Sequence, residues 1–184
     1  MAELRAIMDV MFFGAVAVTK AVLPHLRSRQ SGTFVQIRSV GGQVTMPGFG
    51  AYCAAKFALE GLSGSLAAEV APFGVRVLIV EPGAFRTGFG GGGMHRSRTI
   101  DAYGISNAQT RAAVETMDGS QPGDPAKAAA AILAAVDDPD APLHLALGED
   151  AVEAIAAAQA SRAADLRAWE KVSRGTAGDW SRTG

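Results

Sequence analysis

Residues 39–56 read S-V-G-G-Q-V-T-M-P-G-F-G-A-Y-C-A-A-K, and this stretch decides how the rest of the chain folds. It follows a β-branched and aromatic run at 33–38 that is typical of a strand. It then passes through a turn region rich in Gly and Pro and enters a predicted helix near Tyr52. Tyr52 and Lys56 are four residues apart and therefore share one face of that helix, while Ser39 stands at the end of the strand.

The spacing of Tyr52 and Lys56 indicates a candidate acid–base pair. A free phenol titrates near pH ~10, and a cation beside it favours the phenolate, so Lys56 is predicted to lower the pKa of Tyr52. Such a phenol can act as a general acid or base, with Ser39 hydrogen-bonding the same substrate oxygen. The spacing alone is more typical of an exposed tyrosine with a lysine one turn later, and it is the surrounding sequence that favours the acid–base interpretation.

The sequence after Lys56 predicts parallel strand pairing. Apolar positions continue the helix to about residue 71, Pro72 and Gly74 end it, and the β-branched run at 75–81 predicts a second strand. A strand, a helix and a strand of these lengths form a right-handed crossover. A third strand is predicted at 143–147, and Asp124 followed by Pro125 predicts a helix start. Ligands of such sheets bind at the carboxyl ends of the strands, where Ser39 and the Pro82-Gly83 turn fall.

Four landmarks in this order carry a family resemblance. Ser39 stands thirteen positions before Tyr52, Tyr52 opens Y-C-A-A-K, and Pro82-Gly83 is followed by Thr87. The chain resembles the C-terminal part of the classical short-chain dehydrogenases/reductases, oxidoreductases that use NAD(P)(H). The resemblance implies an α/β fold, a Rossmann-type doubly wound parallel sheet of which this chain would hold the C-terminal half, about three strands with their helices.

The resemblance also implies the site residues and the cofactor. The cofactor would be NAD or NADP, of which this chain would contact the nicotinamide end. Tyr52 would donate or accept the hydroxyl proton, Lys56 would lower its pKa and hold the nicotinamide ribose, and Ser39 would orient the carbonyl of an alcohol/carbonyl substrate. The implied sets are catalytic Ser39, Tyr52 and Lys56; cofactor-binding Tyr52, Lys56, Pro82, Gly83, Phe85 and Thr87; and substrate-binding Ser39, Val40, Gly41 and Tyr52.

Several features depart from the family pattern. The glycine-rich phosphate turn T-G-x3-G-x-G is absent, so the chain is expected to be an N-terminally truncated member with impaired or no activity, whether or not Met1 is a true start. Residues 88–93 spell G-x-G-x-x-G, but a Pro-Gly turn precedes them and no helical pattern follows, which favours a loop over the substrate. In the family an asparagine usually stands at the position of Met11 and holds a water that links the lysine to bulk solvent, whereas a thioether cannot donate a hydrogen bond and accepts only weakly. Arg38, where a small residue is common, is either a solvated charge or a residue near the substrate.

Composition bounds the remaining expectations. With 184 residues, 48% of them apolar, and a net charge of −1, the chain fits one partial Rossmann domain at 1–174 with a loose tail at 175–184, and nothing favours nucleic acid. No charge-free apolar run of about 18 residues and no leader pattern are present, so a cytoplasmic protein without a membrane span is expected.

The single Cys53 is predicted to be a buried packing residue. The three histidines lack metal-ligand spacing, so no metal site is predicted.

Partner predictions concern two helices. The apolar positions of the opening helix form a face wide enough to be largely buried. By the resemblance, the helices at 3–29 and 52–71 would form a homo-oligomer. An alternative function is therefore a non-catalytic remnant that serves as an association module. A serine hydrolase using Ser39 is excluded because G-x-S-x-G is absent.

Overall fold

The computed structural model describes residues 1–90 and 97–178, and its centre is a parallel sheet of three strands in the order β1-β2-β3. The strands are β1 (Gly32–Ile37), β2 (Val75–Pro82) and β3 (His144–Leu147). Ile37 pairs with Val80 and Pro82 pairs with Leu147, so the carboxyl ends of β1 and β2 meet at one edge of the sheet. The predicted α/β class with a Rossmann-like parallel sheet is confirmed, and β1 lies at an edge as predicted.

Helices follow each strand and precede the first. A helix broken by a π-helical turn at Asp9–Phe13 opens the chain, and a long helix closes it. Asp124 caps its helix as predicted, since its side chain accepts a hydrogen bond from the N–H of Ala126 at 2.8 Å. The helices are α1 (Ala2–Met8), α2 (Gly14–Arg29), α3 (Gly50–Val70), α4 (Gly104–Met117), α5 (Pro125–Asp137) and α6 (Glu149–Arg174).

The core lies between the sheet and α3. Alternation along β2 turns Val75, Val77 and Ile79 to one face, where they pack with Leu66 and Val70 of α3. Arg76 points to the opposite face and donates to backbone carbonyls at the end of α5, which ties that helix to the sheet. Cys53 is buried with 4% of its surface exposed, so its predicted packing role is confirmed.

The opening helix contradicts one prediction. It was expected to be largely buried, but Thr19 is the single buried residue of α2, and Val10 and Val18 are 76% and 66% exposed. The core of the described chain covers a narrow stripe of this helix, and its other apolar side chains face outward. The helix from Ala2 to Arg29 is also long and apolar enough to cross a membrane, by length and composition alone, since an 18-residue window within it has a mean hydropathy of 1.8. The expected absence of a membrane span therefore stays a prediction.

Candidate active site at the carboxyl edge of the sheet

Ser39 is fixed where β1 leaves the sheet. The N–H of Arg38 still donates to the Val80 carbonyl at 2.8 Å, which extends the pairing by one residue. Ser39 then caps a 3₁₀ turn at Val40–Gly42, and its Oγ accepts a hydrogen bond from the N–H of Gly41 at 3.1 Å. The serine hydroxyl is thus held at the carboxyl end of the strand, the edge at which parallel sheets bind ligands.

Tyr52 and Lys56 reach the same edge from the first two turns of α3. The Ser39 hydroxyl lies close enough to the Tyr52 phenol to lower its pKa, and both side chains border Gly41. The Tyr52 ring packs directly on Gly41, where an added Cβ would lie 2.8 Å from the ring carbon Cε1, so a side chain at Gly41 would displace the ring. Lys56 donates from Nζ to the Ile37 carbonyl at 3.2 Å, and its Nζ lies 5.9 Å from the centre of the Tyr52 ring. The structure therefore brings together Ser39, Tyr52 and Lys56.

The electrostatics of the pair differ from the sequence prediction. Burial raises the pKa of Tyr52, and the hydrogen bond from Ser39 offsets only part of that rise. Burial lowers the pKa of Lys56, and the nearby charge of Arg38 lowers it further. The prediction that Lys56 lowers the pKa of Tyr52 stays a prediction, while the net shift of this pKa is upward. The physical reason is that both groups lose water on folding, while the ammonium donates to a backbone carbonyl on the strand.

The turn after β2 lies beside these residues. Pro82 ends the strand, Gly83 donates to the Leu147 carbonyl at 2.9 Å, and Phe85 forms an isolated bridge with Gly123. Thr87 is exposed and its hydroxyl accepts from the N–H of Phe89 at 3.4 Å. The structure thus places Pro82, Gly83, Phe85 and Thr87 in one continuous turn at the carboxyl end of β2.

The sequence reasoning missed one residue that holds this turn in place from another element. The carboxylate of Asp150, at the start of α6, accepts a hydrogen bond from the N–H of Ala84 at 2.7 Å. An added Cβ at Gly83 would overlap this carboxylate, so glycine is required for its approach. Asp150 lies 66 residues from Ala84 in sequence, and no local pattern links the two.

A cavity of about 660 Å³ opens in front of Tyr52. Phe49 and Phe89 flank the phenol, each with its ring centre 5.9 Å from that of Tyr52. Met11 forms part of the wall within the π-helical turn, a distortion frequent at functional sites. The far side is formed by α4, a helix that the sequence did not predict because it buries no residue and has no core pattern. The remaining lining residues are Ala2, Glu3, Ala6, Ile7, Val10, Pro47, Gly48, Ala51, Ser97, Asn107, Thr110, Arg111, Val114 and Glu115.

The glycine-rich segment at 88–93 lies partly outside the described residues, since 91–96 are not described. Its described part does not follow a strand directly, and Phe89 contacts Tyr52 at the cavity. That position agrees with a loop over the substrate, which stays a prediction. Residues 179–184 of the predicted tail also lie outside the described part.

Arg38 corrects a second prediction, because it is neither solvated nor part of the cavity wall. Its side chain is buried, 2% exposed as a residue, and it pairs with Glu60 and Glu81. Glu60, Glu81 and His144 have ligand atoms within 4.8 Å of one another, a spacing that a metal ion could use. The guanidinium of Arg38 already donates to both carboxylates, so we assign no metal to this group.

Comparison with known proteins agrees with this geometry. A family model described as "short chain dehydrogenase" matches residues 1–93. The chain is 36% identical over 164 residues to "Oxidoreductase BOA17" of Botryotinia fuckeliana, covering 89% of this chain and 60% of that protein. The chain thus spans less than two thirds of the length of that relative.

Two solved structures share the fold. A short-chain dehydrogenase from Streptomyces avermitilis superposes with a TM-score of 0.90 at 52% identity, covering 97% of this chain and 65% of that one. A short chain dehydrogenase from Burkholderia cenocepacia, solved in complex with NADP, has a TM-score of 0.65 at 24% identity. The match covers 89% of this chain and 57% of the Burkholderia cenocepacia chain, and at 24% identity it supports the fold alone.

Proposed function

The chain belongs to the short chain dehydrogenase family, and we propose that it carries the proton-transfer site of an NAD(P)-dependent oxidoreductase acting on an alcohol/carbonyl pair. The observation that carries the proposal is that Ser39, Tyr52 and Lys56 lie together at the carboxyl edge of the sheet, where Tyr52 lines the cavity. A substrate oxygen placed there would meet two hydroxyl groups, one to orient it and one to exchange a proton. Tyr52 is the general acid or base, and Ser39 holds the oxygen against it.

The donor set fits the nicotinamide end of a dinucleotide. The Lys56 ammonium has three donors and gives one to the Ile37 carbonyl, which leaves donors for ribose hydroxyls. The exposed Thr87 hydroxyl and the turn from Pro82 to Phe85 lie at the same edge of the sheet. When bound, NAD or NADP supplies the hydride chemistry. The chain would supply orientation and the proton.

The cavity favours an apolar substrate. About 660 Å³ lies in the range of small-molecule sites, and most of the wall next to Tyr52 is apolar or aromatic. Polar side chains of α4, Asn107 and Arg111 among them, also line the cavity. We propose an apolar secondary alcohol or ketone as the substrate.

The test is turnover with a panel of such alcohols and ketones, in a protein that joins this chain to the preceding segment of the Streptomyces avermitilis relative. Tyr52→Phe should lower kcat by about 10²–10⁴, the usual contribution of a positioned acid or base, and leave cofactor affinity almost unchanged. Tyr103→Phe is the matched control because Tyr103 is the other tyrosine of the chain, is exposed and does not line the cavity. Wild-type turnover by Tyr52→Phe would overturn the assignment.

A second candidate function is that of a non-catalytic association module. It is supported by the apolar side chains that α2 and the preceding turn leave exposed, including Phe13, Val18 and Val22. On α3, an added Cβ at Gly61 or Gly64 would meet no described atom within 4 Å, so this side of the helix is open to a partner. Self-association without turnover in any joined protein would favour this candidate over the enzyme.

A further inference from the structure

Arg38 makes an unusual set of contacts for the residue that precedes Ser39. Its Nε donates to the Lys56 carbonyl at 3.1 Å, and its Nη2 donates to the Gly42 carbonyl. Its Nη1 donates to the carboxylates of Glu60 and Glu81. Every nitrogen of this buried guanidinium therefore has an acceptor within the described structure.

The two carbonyls belong to the two segments that carry the candidate catalytic groups. Gly42 ends the 3₁₀ turn that Ser39 caps, and Lys56 lies one helical turn beyond Tyr52 on α3. The guanidinium is planar and rigid, so its donors fix the distance between these segments. The two carboxylates keep the guanidinium from turning away, and Glu81 is itself held by Gln43 Nε2 at 2.9 Å.

We propose that Arg38 is a positioning residue that clamps the Ser39 turn onto α3 and so sets the position of the Ser39 hydroxyl relative to the Tyr52 phenol. The catalytic meaning of this clamp rests on the proposed function, but its geometry does not. A lysine could replace the charge of Arg38 but not the clamp, because a single ammonium cannot reach both carbonyls and both carboxylates. Gly42 is required for the same reason, since an added Cβ there would overlap Nε and Nη2 of Arg38.

The experiment reads the Tyr52 phenol in the 184-residue chain itself, without cofactor or substrate. The chain is labelled with 3-fluorotyrosine in a Tyr103→Phe background, so that one fluorine resonance reports the ionisation of Tyr52. Because the Ser39 hydroxyl lowers the pKa of Tyr52, displacing it is expected to raise that pKa, whereas a site that merely opens to water would show a lower pKa and so contradict the clamp. Arg38→Lys should raise the titration midpoint by about 0.5–1 pH unit, the size expected for one weakened hydrogen bond.

Gly42→Ala disturbs the contact between Arg38 and Gly42 from the side of the 3₁₀ turn. It keeps the test valid if Arg38→Lys does not fold. It should shift the midpoint in the same direction. Arg76→Met is the matched control for Arg38, since Arg76 also donates to two backbone carbonyls but lies away from Tyr52. Gly64→Ala is the control for Gly42, because its Cβ would meet no described atom.

Upward shifts in Arg38→Lys and Gly42→Ala, with both controls unchanged, support the clamp. If the Tyr52 titration midpoint of Arg38→Lys or of Gly42→Ala equals that of the unsubstituted chain, the clamp is overturned and Arg38 is only a charge partner of the two glutamates. An equal shift in Arg76→Met would also overturn it, because the effect would then be general loosening. Since these titrations need no turnover, an inactive joined protein would contradict the proposed function without contradicting the clamp.

Discussion

The clearest prediction about partners concerns the exposed apolar face of the opening helix. Val18 is 66% exposed and Val22, one turn later, is 38% exposed, so they form a continuous apolar strip on α2. We expect a second copy of the chain to cover this strip, as the family resemblance implies for this helix. Val18→Lys places a charge in the strip without lowering helix propensity, since lysine is at least as good a helix former as valine.

The magnitude follows from the exposed fraction of Val18. Full burial of a valine side chain contributes about 1.5 kcal/mol, so covering its exposed two thirds contributes about 1 kcal/mol. A two-fold interface presents Val18 twice, which makes the loss about 2 kcal/mol per dimer. The dissociation constant should therefore rise by a factor of about 30 or more, since the two introduced charges also repel.

Sedimentation equilibrium over a range of protein concentrations measures this change. Leu133→Lys on α5 is the matched control, because Leu133 is 64% exposed but lies outside the two predicted interface helices. A parent chain that stays monomeric, or a Val18→Lys variant that associates like the parent, would refute the reasoning. If the parent instead floats with lipid vesicles and Val18→Lys does not, lipid rather than a second copy of the chain covers the strip.

Four further outcomes are expected. Asp124→Ala should lower the free energy of unfolding by about 1 kcal/mol in thermal denaturation, while Asp124→Asn, which can still cap, should cost less. Calorimetric titration of the 184-residue chain should give a dissociation constant near millimolar for NAD(H) or NADP(H), because losing half the contacts of a micromolar ligand removes about 4 kcal/mol; micromolar binding would contradict this. In the joined protein, Met11→Asn should raise turnover if the thioether interrupts a proton relay to Lys56, and an unchanged rate counts against that relay. Alcohol oxidation by the same protein should rise with pH throughout the range from 7 to 9, and a plateau there would contradict the direction of the Tyr52 shift.

Local sequence patterns were sufficient for the framework of the site. The β-branched run from Val75 ends at Pro82 as predicted, and strand, helix and strand in sequence require parallel pairing. Ser39 and Lys56 therefore come to one edge of the sheet without any knowledge of distant contacts. These predictions succeeded because each depends on residues within one or two neighbouring elements.

Distant contacts explain what the sequence could not predict. Arg38 is buried because Glu60 and Glu81 lie beside it, 22 and 43 residues further along the chain. Helix α4 has no buried side chain, so no hydrophobic period marked it, although it lines the cavity. The opening helix has a wide apolar face in its sequence, but sequence periodicity does not reveal which surface covers it.

The direction of the Tyr52 shift indicates which proton transfer the proposed site would perform more readily. Adjacency to Lys56 predicts an acidic phenol, whereas burial is the largest influence on both groups and acts in opposite directions on them. With its pKa above the ordinary value of about 10, Tyr52 stays protonated at neutral pH and is a proton donor, the role required for carbonyl reduction. Alcohol oxidation needs the phenolate, whose fraction grows about tenfold per pH unit below that pKa. The oxidation rate should therefore climb with pH while the reduction rate does not, and Ser39→Ala should displace the oxidation curve to higher pH because the hydrogen bond from Ser39 is the influence that lowers the pKa of Tyr52.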